Sequence, residues 1–551
     1  MVFRPSLTRR DVVLLLLGAS FMHLFTVFFP QDRPPAEIVI DTAREPVFPP
    51  DPPPPEPPRY QTRTTTLVEK ATATVTVIPQ PSAGPASFSP IDLALELPET
   101  SLIAHAPGWT LFKNLYMSNG TFIIVSNTPS DFPEQRLMVS TPLAAENTPE
   151  NIAMREPTRY SMAYLTTVEA HRRWGDDVRN GRNNRVLSVE GNTVLVNEPK
   201  QFLRHFYHLV AELFFGVQAF WHGAFSESST DIDREYMLSP HPPPPPIHRV
   251  IFARSNADGW RDNPGFNAYF MRAAFPATTI EVQEDWEDRV TITSSGDRAW
   301  HFPLILLTDR SASHRGVICG SQTQRIAAEA VEEMRKKNKL VGVRVGGWWE
   351  PIRSAVLRFA GAELNAPDNT DQVVLKSDFG QGDPKLPMPS KIVITYISRQ
   401  SAGNRKLTPE SHTGLVAALR GLVKRKGAAW ELNVMEAEKM TKDEQLRTIA
   451  RTTILLGVHG NGLTHLVMMQ PTRVSSVIEI FYPQGFAHDY QWTTRALGMR
   501  HFAVWNDTYR TEGVGEGKPD VDYPTGFQEN NIPAHGPAIA QLIEDRVELR
   551  V

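Results

Sequence analysis

Cysteine is almost missing from this chain. One residue, Cys319, stands in 551, so no disulfide can form within the chain and zinc sites built on cysteine pairs are excluded. A dominant charge of one sign is lacking as well: 57 Lys and Arg face 61 Asp and Glu, for a formal net charge of −4. That balance carries no basic footprint for nucleic acid, and no nucleic-acid partner is expected. Neither common nucleotide fingerprint occurs, since the glycine spacings and lysine of a P-loop and the G-x-G-x-x-G of a dinucleotide site are both absent. The second absence counts against an oxidoreductase using nicotinamide or flavin. His171, His222 and His301 lack paired metal spacing, so no metal site is expected. "DID" at Asp231 and Asp233 has the spelling of an Asp-x-Asp cation motif, but it lies between "SESST" and a proline run rather than after an apolar strand, and reads as a solvated loop. No internal repeat is evident.

Long apolar runs are also scarce, which makes the one at residues 12–29 conspicuous. "VVLLLLGASFMHLFTVFF" has no charge and follows Arg4, Arg9 and Arg10. Its length is the lower end for a membrane-spanning helix, and basic residues in front predict a cytosolic N-terminus with a lumenal remainder. A cleaved signal peptide fits the same flanks, with Gly18, Ala19 and Ser20 as the small residues. The run continues past them to Pro30, which favours an uncleaved anchor. Its shortness suits the thinner membranes of the early secretory pathway, the endoplasmic reticulum or Golgi. Residues 30–100 then change material: "PVFPPDPPPPEPPRY" extends as polyproline II, and "TRTTTLVEKATATVTVIPQPSAGPASFSP" mixes threonine, serine and proline. Together they read as a semi-rigid stem. The sequons "NGT" at Asn119 and "NDT" at Asn506 agree with lumenal exposure and glycosylation.

From about Ser101 the composition becomes globular, and at this length two lobes are expected. The clearest alternation lies between Lys391 and Trp505. "KIVITYISR" reads as a buried parallel strand, "HTGLVAALRGLVKRKG" as a helix ended by glycine, "WELNVM" as a strand, and "TKDEQLRTIART" as a helix opened by Thr441 and Glu444 in capping-box spacing. "TILLGV" is a further strand, "HGNG" its exit loop, "LTHLVMM" a short helix and "SSVIEIF" the next strand. Such a run of βα units predicts an α/β fold with a doubly wound parallel sheet. Ligands of such sheets bind beyond the carboxyl ends of the strands. There Gly460 and Gly462 permit close backbone approach, the amides through Leu463 offer donors to phosphate, and His459 and Asn461 add side-chain donors. Arg399, ending its strand at the same edge, can grip a diphosphate, and Glu479 can accept from ribose hydroxyls. His208 and Glu212, four apart on a predicted helix, can touch; the same spacing also suits an incidental polar pair on an amphipathic helix.

"TYISR", "GVHGNGLTHLVMMQP" and "VIEIF" resemble the C-terminal lobe of glycosyltransferase family 61, where an arginine-ended strand, a His-Gly-Ala-Gly-Leu-type loop and a Glu-bearing strand follow in this order. "FLRHFYHLVAELFFG" at residues 202–216 is similar to that family's N-lobe segment, in which a Tyr-His pair is followed four residues later by Asp or Glu. Here Asn461 replaces the usual alanine, His465 the usual asparagine, and Glu212 the common aspartate. The resemblance implies two Rossmann-like lobes (the type B glycosyltransferase fold), a nucleotide-sugar donor such as a UDP-sugar, xylose or N-acetylglucosamine as the sugar, a glycan or glycoprotein acceptor, inversion, and no required metal or other cofactor. Within it Glu212 is the expected general base with His208 orienting it, while Arg399, Arg405 and the amides after His459 stabilise the departing diphosphate. The expected layout is a cytosolic tail at 1–11, a transmembrane anchor at 12–29, a stem at 30–100, an acceptor-side lobe at 101–385 and a donor-side lobe at 386–551. "AIAQLIEDRVEL" is a terminal helix expected to pack between the lobes. A catalytically silent protein of the same fold that binds a glycan or nucleotide sugar is the alternative.

Overall fold

The computed structural model describes residues 92–175, 183–226, 243–340, 346–363, 386, 388–511 and 521–551. The expected tail, the anchor, nearly all of the stem and the Asp231–Asp233 motif lie outside them. Among the described residues no helix is long and apolar enough to cross a membrane.

Two sheets organise the chain. The first contains β1 (Ser101–Ala106), β2 (Trp109–Ser118), β3 (Thr121–Val125), β4 (Met162–Leu165), β5 (Val186–Ser188), β6 (Asn192–Pro199), β7 (Arg249–Arg254), β8 (Thr279–Glu281) and β9 (Ala299–Thr308). Its path runs β4-β3-β2-β9-β6-β7-β8. The expectation of a Rossmann-like lobe holds for one half only: β9, β6, β7 and β8 are parallel, whereas β2 pairs antiparallel with both β3 and β9. The hairpin accounts for the β2–β3 pairing, because "SNGT" turns the chain on two residues with positive φ, Asn119 and Gly120, and a turn that short forces antiparallel pairing.

The second sheet holds β10 (Ile392–Ile397), β11 (Trp430–Met435), β12 (Ile454–Val458), β13 (Ser476–Ile480), β14 (Arg500–Trp505) and β15 (Thr508–Arg510), in the order β11-β10-β12-β13-β14-β15. All pairs are parallel except the last. The buried apolar runs become strands with every residue of β10, β12 and β13 inside, as parallel strands covered on both faces must be. The capping box at Thr441 and Glu444 opens helix Lys442–Ala450.

Each sheet has one place where consecutive connections leave in opposite directions. In the second it lies between β10 and β12, and in the first between β6 and β9. Such switch points open a crevice at the carboxyl ends of the strands. The terminal helix Gly536–Val547 does not pack between lobes; Ile539, Leu542 and Ile543 join Leu415, Leu419 and Leu422 of helix Pro409–Lys426 in the core beside the second sheet. By contrast, the largest apolar cluster is shared between the sheets, joining Val194, Val196 and Phe214 to Ile397, Leu455 and Leu466.

Candidate active site

At the first switch point, Glu198 is the last residue but one of β6 and β9 is followed by Asp309 and Arg310. The segment after β6 winds into a π-helix, Tyr207–Phe214, a wide-turned form found often at functional sites. His208 and Glu212 sit on it and meet: Nδ1 lies 2.5 Å from Oε2. Their exposure differs, with 23% of the His208 side chain open and 1% of Glu212. Glu212 Oε2 also accepts from Arg310 Nη1 at 2.9 Å, while Arg310 Nε bonds Glu198 Oε2 at 2.5 Å and its guanidinium covers the Phe202 ring at 4.6 Å. Arg325 Nη1 stands 3.7 Å from Glu212 Oε1. Burial alone would raise the Glu212 carboxyl, but Arg310, then Arg325, then His208 outweigh it and hold the group well below the usual carboxylate range.

These facts correct one expectation. A carboxylate enclosed by two guanidiniums and held ionised is a poor acceptor for a further proton, and it is not open to an acceptor hydroxyl. His208 is the accessible member of the pair, and Glu212 the member that orients it and would stabilise an imidazolium.

The second switch point is built from the loop "HGNG". His459 Nδ1 lies 2.5 Å from Glu479 Oε1, and Glu479 Oε2 accepts from His501 Nε2 at 2.7 Å. Glu479 is wholly buried, with both oxygens committed to imidazoles. It therefore cannot reach a ribose, contrary to expectation, and instead fixes the His459 ring, which also stacks on Phe481 at 5.4 Å. Asn461 departs from expectation in part: its Oδ1 accepts from the Tyr207 backbone N–H and the Thr464 hydroxyl, both at 3.2 Å, tying the loop to the π-helix. The residues after it form a 3-10 helix, Asn461–Met468, in which Gly462 faces Ile397 and Leu463 is buried. His465 is likewise buried, hydrogen-bonded through Nε2 to Gln445 Oε1 at 3.0 Å.

Arg399 and Arg405 converge over Gly460, whose φ of +157° and ψ of 172° fall in a region only glycine occupies readily. A Cβ there would lie 2.9 Å from Arg399 Nη1 and 3.5 Å from Arg405 Cζ. Among the described residues Arg399 otherwise bonds only the carbonyl and side chain of Asn404, and Arg405 Nε is buried without a partner. Burial, then the neighbouring Arg405, lowers the Arg399 guanidinium from its ordinary value.

The two switch points meet through Asp489, at the start of helix Asp489–Ala496. Arg325 Nη1 bonds Asp489 Oδ1, and the Tyr207 hydroxyl donates to the Asp489 carbonyl at 2.8 Å. Burial would raise the Asp489 carboxyl, but the Arg325 guanidinium outweighs it and holds the group below its ordinary value. Sequence reasoning missed Arg310, Arg325, Glu198 and Asp489. A signal for Arg310 existed: "PLILLTDR" closes an apolar strand with arginine much as "VITYISR" does. The two sequons occupy exposed turns, Asn119 between β2 and β3 and Asn506 between β14 and β15. Among the described residues no group of three or more His, Cys, Asp or Glu is arranged to hold a metal ion.

Residues 304–477 match the family model described as Glycosyltransferase 61. The matched stretch includes Arg310, Arg325, Arg399, Arg405 and the His459 loop, and it ends before Glu479 and Asp489. The match supports the resemblance to glycosyltransferase family 61 and, with it, glycosyl transfer from a nucleotide sugar to a glycan acceptor in general terms. No curated protein matches the chain.

Proposed function

We propose that this chain is an inverting glycosyltransferase that moves a sugar, xylose or N-acetylglucosamine, from a UDP-sugar to a glycan or glycoprotein. The observation that carries the reading is the pair Arg399 and Arg405. Two guanidiniums converge on one glycine at a switch point, and neither forms an ion pair with a described carboxylate. Like charges repel, so an anion between them is the arrangement that relieves both, and a diphosphate matches their reach.

The chemistry follows from the geometry. His208, its Nδ1 held by Glu212, takes the acceptor hydroxyl proton as that oxygen attacks the anomeric carbon. The bond from the anomeric carbon to the diphosphate oxygen breaks on the opposite face, so configuration inverts. The electron pair leaves with the diphosphate, where Arg399, Arg405, His459 and the amide of Gly462 stabilise it; the Leu463 amide, expected to join them, instead donates to the Gly460 carbonyl at 2.9 Å. Protein cations carry that charge in this scheme, and a divalent metal or other cofactor is not required. The apolar run at 12–29, the stem at 30–100 and the two exposed sequons support a single-pass type II protein of the Golgi or endoplasmic reticulum, with the catalytic part lumenal. The acceptor side is assigned to 101–385 and the donor side to 386–551.

The test is diphosphate release by the detergent-solubilised full-length chain against a panel of UDP- and GDP-sugars with mixed glycan acceptors and a chelator present. Release with one UDP-sugar, surviving the chelator and abolished in His208→Ala, is expected. Silence across the panel from folded protein would overturn the assignment in favour of a catalytically silent binding protein of the same fold.

A further inference from the structure

Glu212 is wedged among charges, yet one of its oxygens is left over. Oε2 is shared by His208 and Arg310, whereas Oε1 is buried without a hydrogen bond. A buried carboxylate oxygen in that condition costs free energy, and a donor stands close by. Arg325 Nη1 is 3.7 Å away, beyond hydrogen-bond length, because its guanidinium is drawn instead to Asp489 Oδ1. Arg325 thus has two carboxylates within reach and bonds one. Its ring-facing side lies 5.9 Å from the centroid of Tyr207, whose hydroxyl also holds the Asp489 carbonyl.

We propose that Arg325 and Asp489 are positioning residues that couple the diphosphate-binding edge to the proton-accepting pair: Asp489 holds Arg325 off Glu212, leaving the carboxylate charge directed at His208. This rests on the assignment of His208 and Glu212 above. If Asp489 yields Arg325, the guanidinium closes on Oε1, neutralises more of the Glu212 charge, and weakens the support for an imidazolium at His208. The same step would be linked to the donor, since Asp489 opens the helix that follows β13 and its neighbour Tyr490 packs edge-on against the His459 ring at 5.6 Å.

Other charged groups face the pair and stay constant in the comparison. Glu198 and Arg310 lie at the ends of β6 and after β9, and His205 precedes His208 on its own segment with ring centroids 5.0 Å apart. His314 and the Cys319 thiol, from the segment between β9 and helix Ile326–Lys336, feel the Glu212 charge, as does Tyr523 from the C-terminal segment.

Asp489→Asn in the full-length chain tests the coupling, because the carboxamide keeps the shape and loses the charge that holds Arg325. The expected result is a fall in kcat of about tenfold, with donor KM within roughly threefold of the parent. The acidic limb of the kcat profile should move to lower pH by roughly half a unit. Arg325→Lys, which keeps the charge but cannot span both carboxylates, should lower kcat similarly. Unchanged kcat and an unchanged limb in Asp489→Asn would overturn the coupling, as would a loss of kcat that tracks thermal stability with the limb in place. His208→Ala and Glu212→Gln separate the two claims. If both retain parental kcat, the catalytic pair itself is wrong; if both are inactive while Asp489→Asn is parental, the coupling alone fails.

Discussion

Between His459 and His501, Glu479 does for the His459 loop what Glu212 does for His208: each is a buried carboxylate that fixes an imidazole through Nδ1. Removing the Glu479 charge while keeping a hydrogen-bonding group should therefore damage catalysis more than folding. Glu479→Gln is expected to lower kcat/KM for diphosphate release by roughly tenfold to a hundredfold, as loss of an orienting partner commonly does. Glu479→Ala leaves two imidazoles unpaired in the interior and should cost about 3 kcal/mol of stability in urea unfolding. Two buried histidines carry a pH effect. Burial lowers His301 and His465 from 6.5 to about 4. In the unfolded chain they bind protons from about pH 6.5 downward, whereas in the folded chain they do so only near 4, so stability falls as pH drops through that window. At pH 5 each contributes a loss of about 2 kcal/mol relative to neutral pH. Urea midpoints at pH 7.5 and 5 should show the decline, and His465→Gln should lessen it while His301 keeps its share. Which residues matter was partly legible: the pairing of His208 with Glu212 follows from spacing alone, but which of the two meets solvent depends on Arg310 and Arg325, about a hundred residues distant.

The loop from His459 to the 3-10 helix shows what a single element contributes. Its backbone at Gly460 is one that a side chain strains, and the space above it is filled by arginine. Gly460→Ala should cost on the order of 1–3 kcal/mol of stability. More tellingly, it should weaken UDP binding at least about tenfold by displacing Arg399 from Arg405, which isothermal titration would read. The elements of the second sheet were readable because parallel strands buried on both faces are continuous apolar runs, and because glycine and a capping box mark the helix ends. The first sheet was not, since its antiparallel half comes from a hairpin whose pairing with β9 joins residues nearly two hundred apart. Glu479 was misread for a related reason. Its partner His501 comes from the neighbouring strand, where parallel register sets Val477 opposite His501, and strand pairing of that kind leaves no mark in the local sequence.

For the molecule as a whole, the two exposed sequons give a direct test of compartment. If the chain enters the secretory pathway with its C-terminal part lumenal, peptide-N-glycosidase should increase its gel mobility. Asn119→Gln and Asn506→Gln should each remove one step, and the double variant should be insensitive to the enzyme. No change in any of the four samples would place both turns on the cytosolic side or leave them unmodified, and would count against the type II topology.

The apolar cluster shared by the two sheets has a consequence for synthesis. Helix Glu350–Phe359 contributes Ile352, Val356 and Leu357 to that cluster, but Ile397, Leu455 and Val477, its partners from the second sheet, emerge later. At ordinary translation rates β13 follows that helix by on the order of ten seconds. Throughout that interval the leading half exists as a nascent chain with an uncovered greasy face. A chaperone that covers this face during synthesis thus has a place in this protein's biogenesis, and a pause or truncation between residues 360 and 477 would deliver a sticky intermediate rather than a working half.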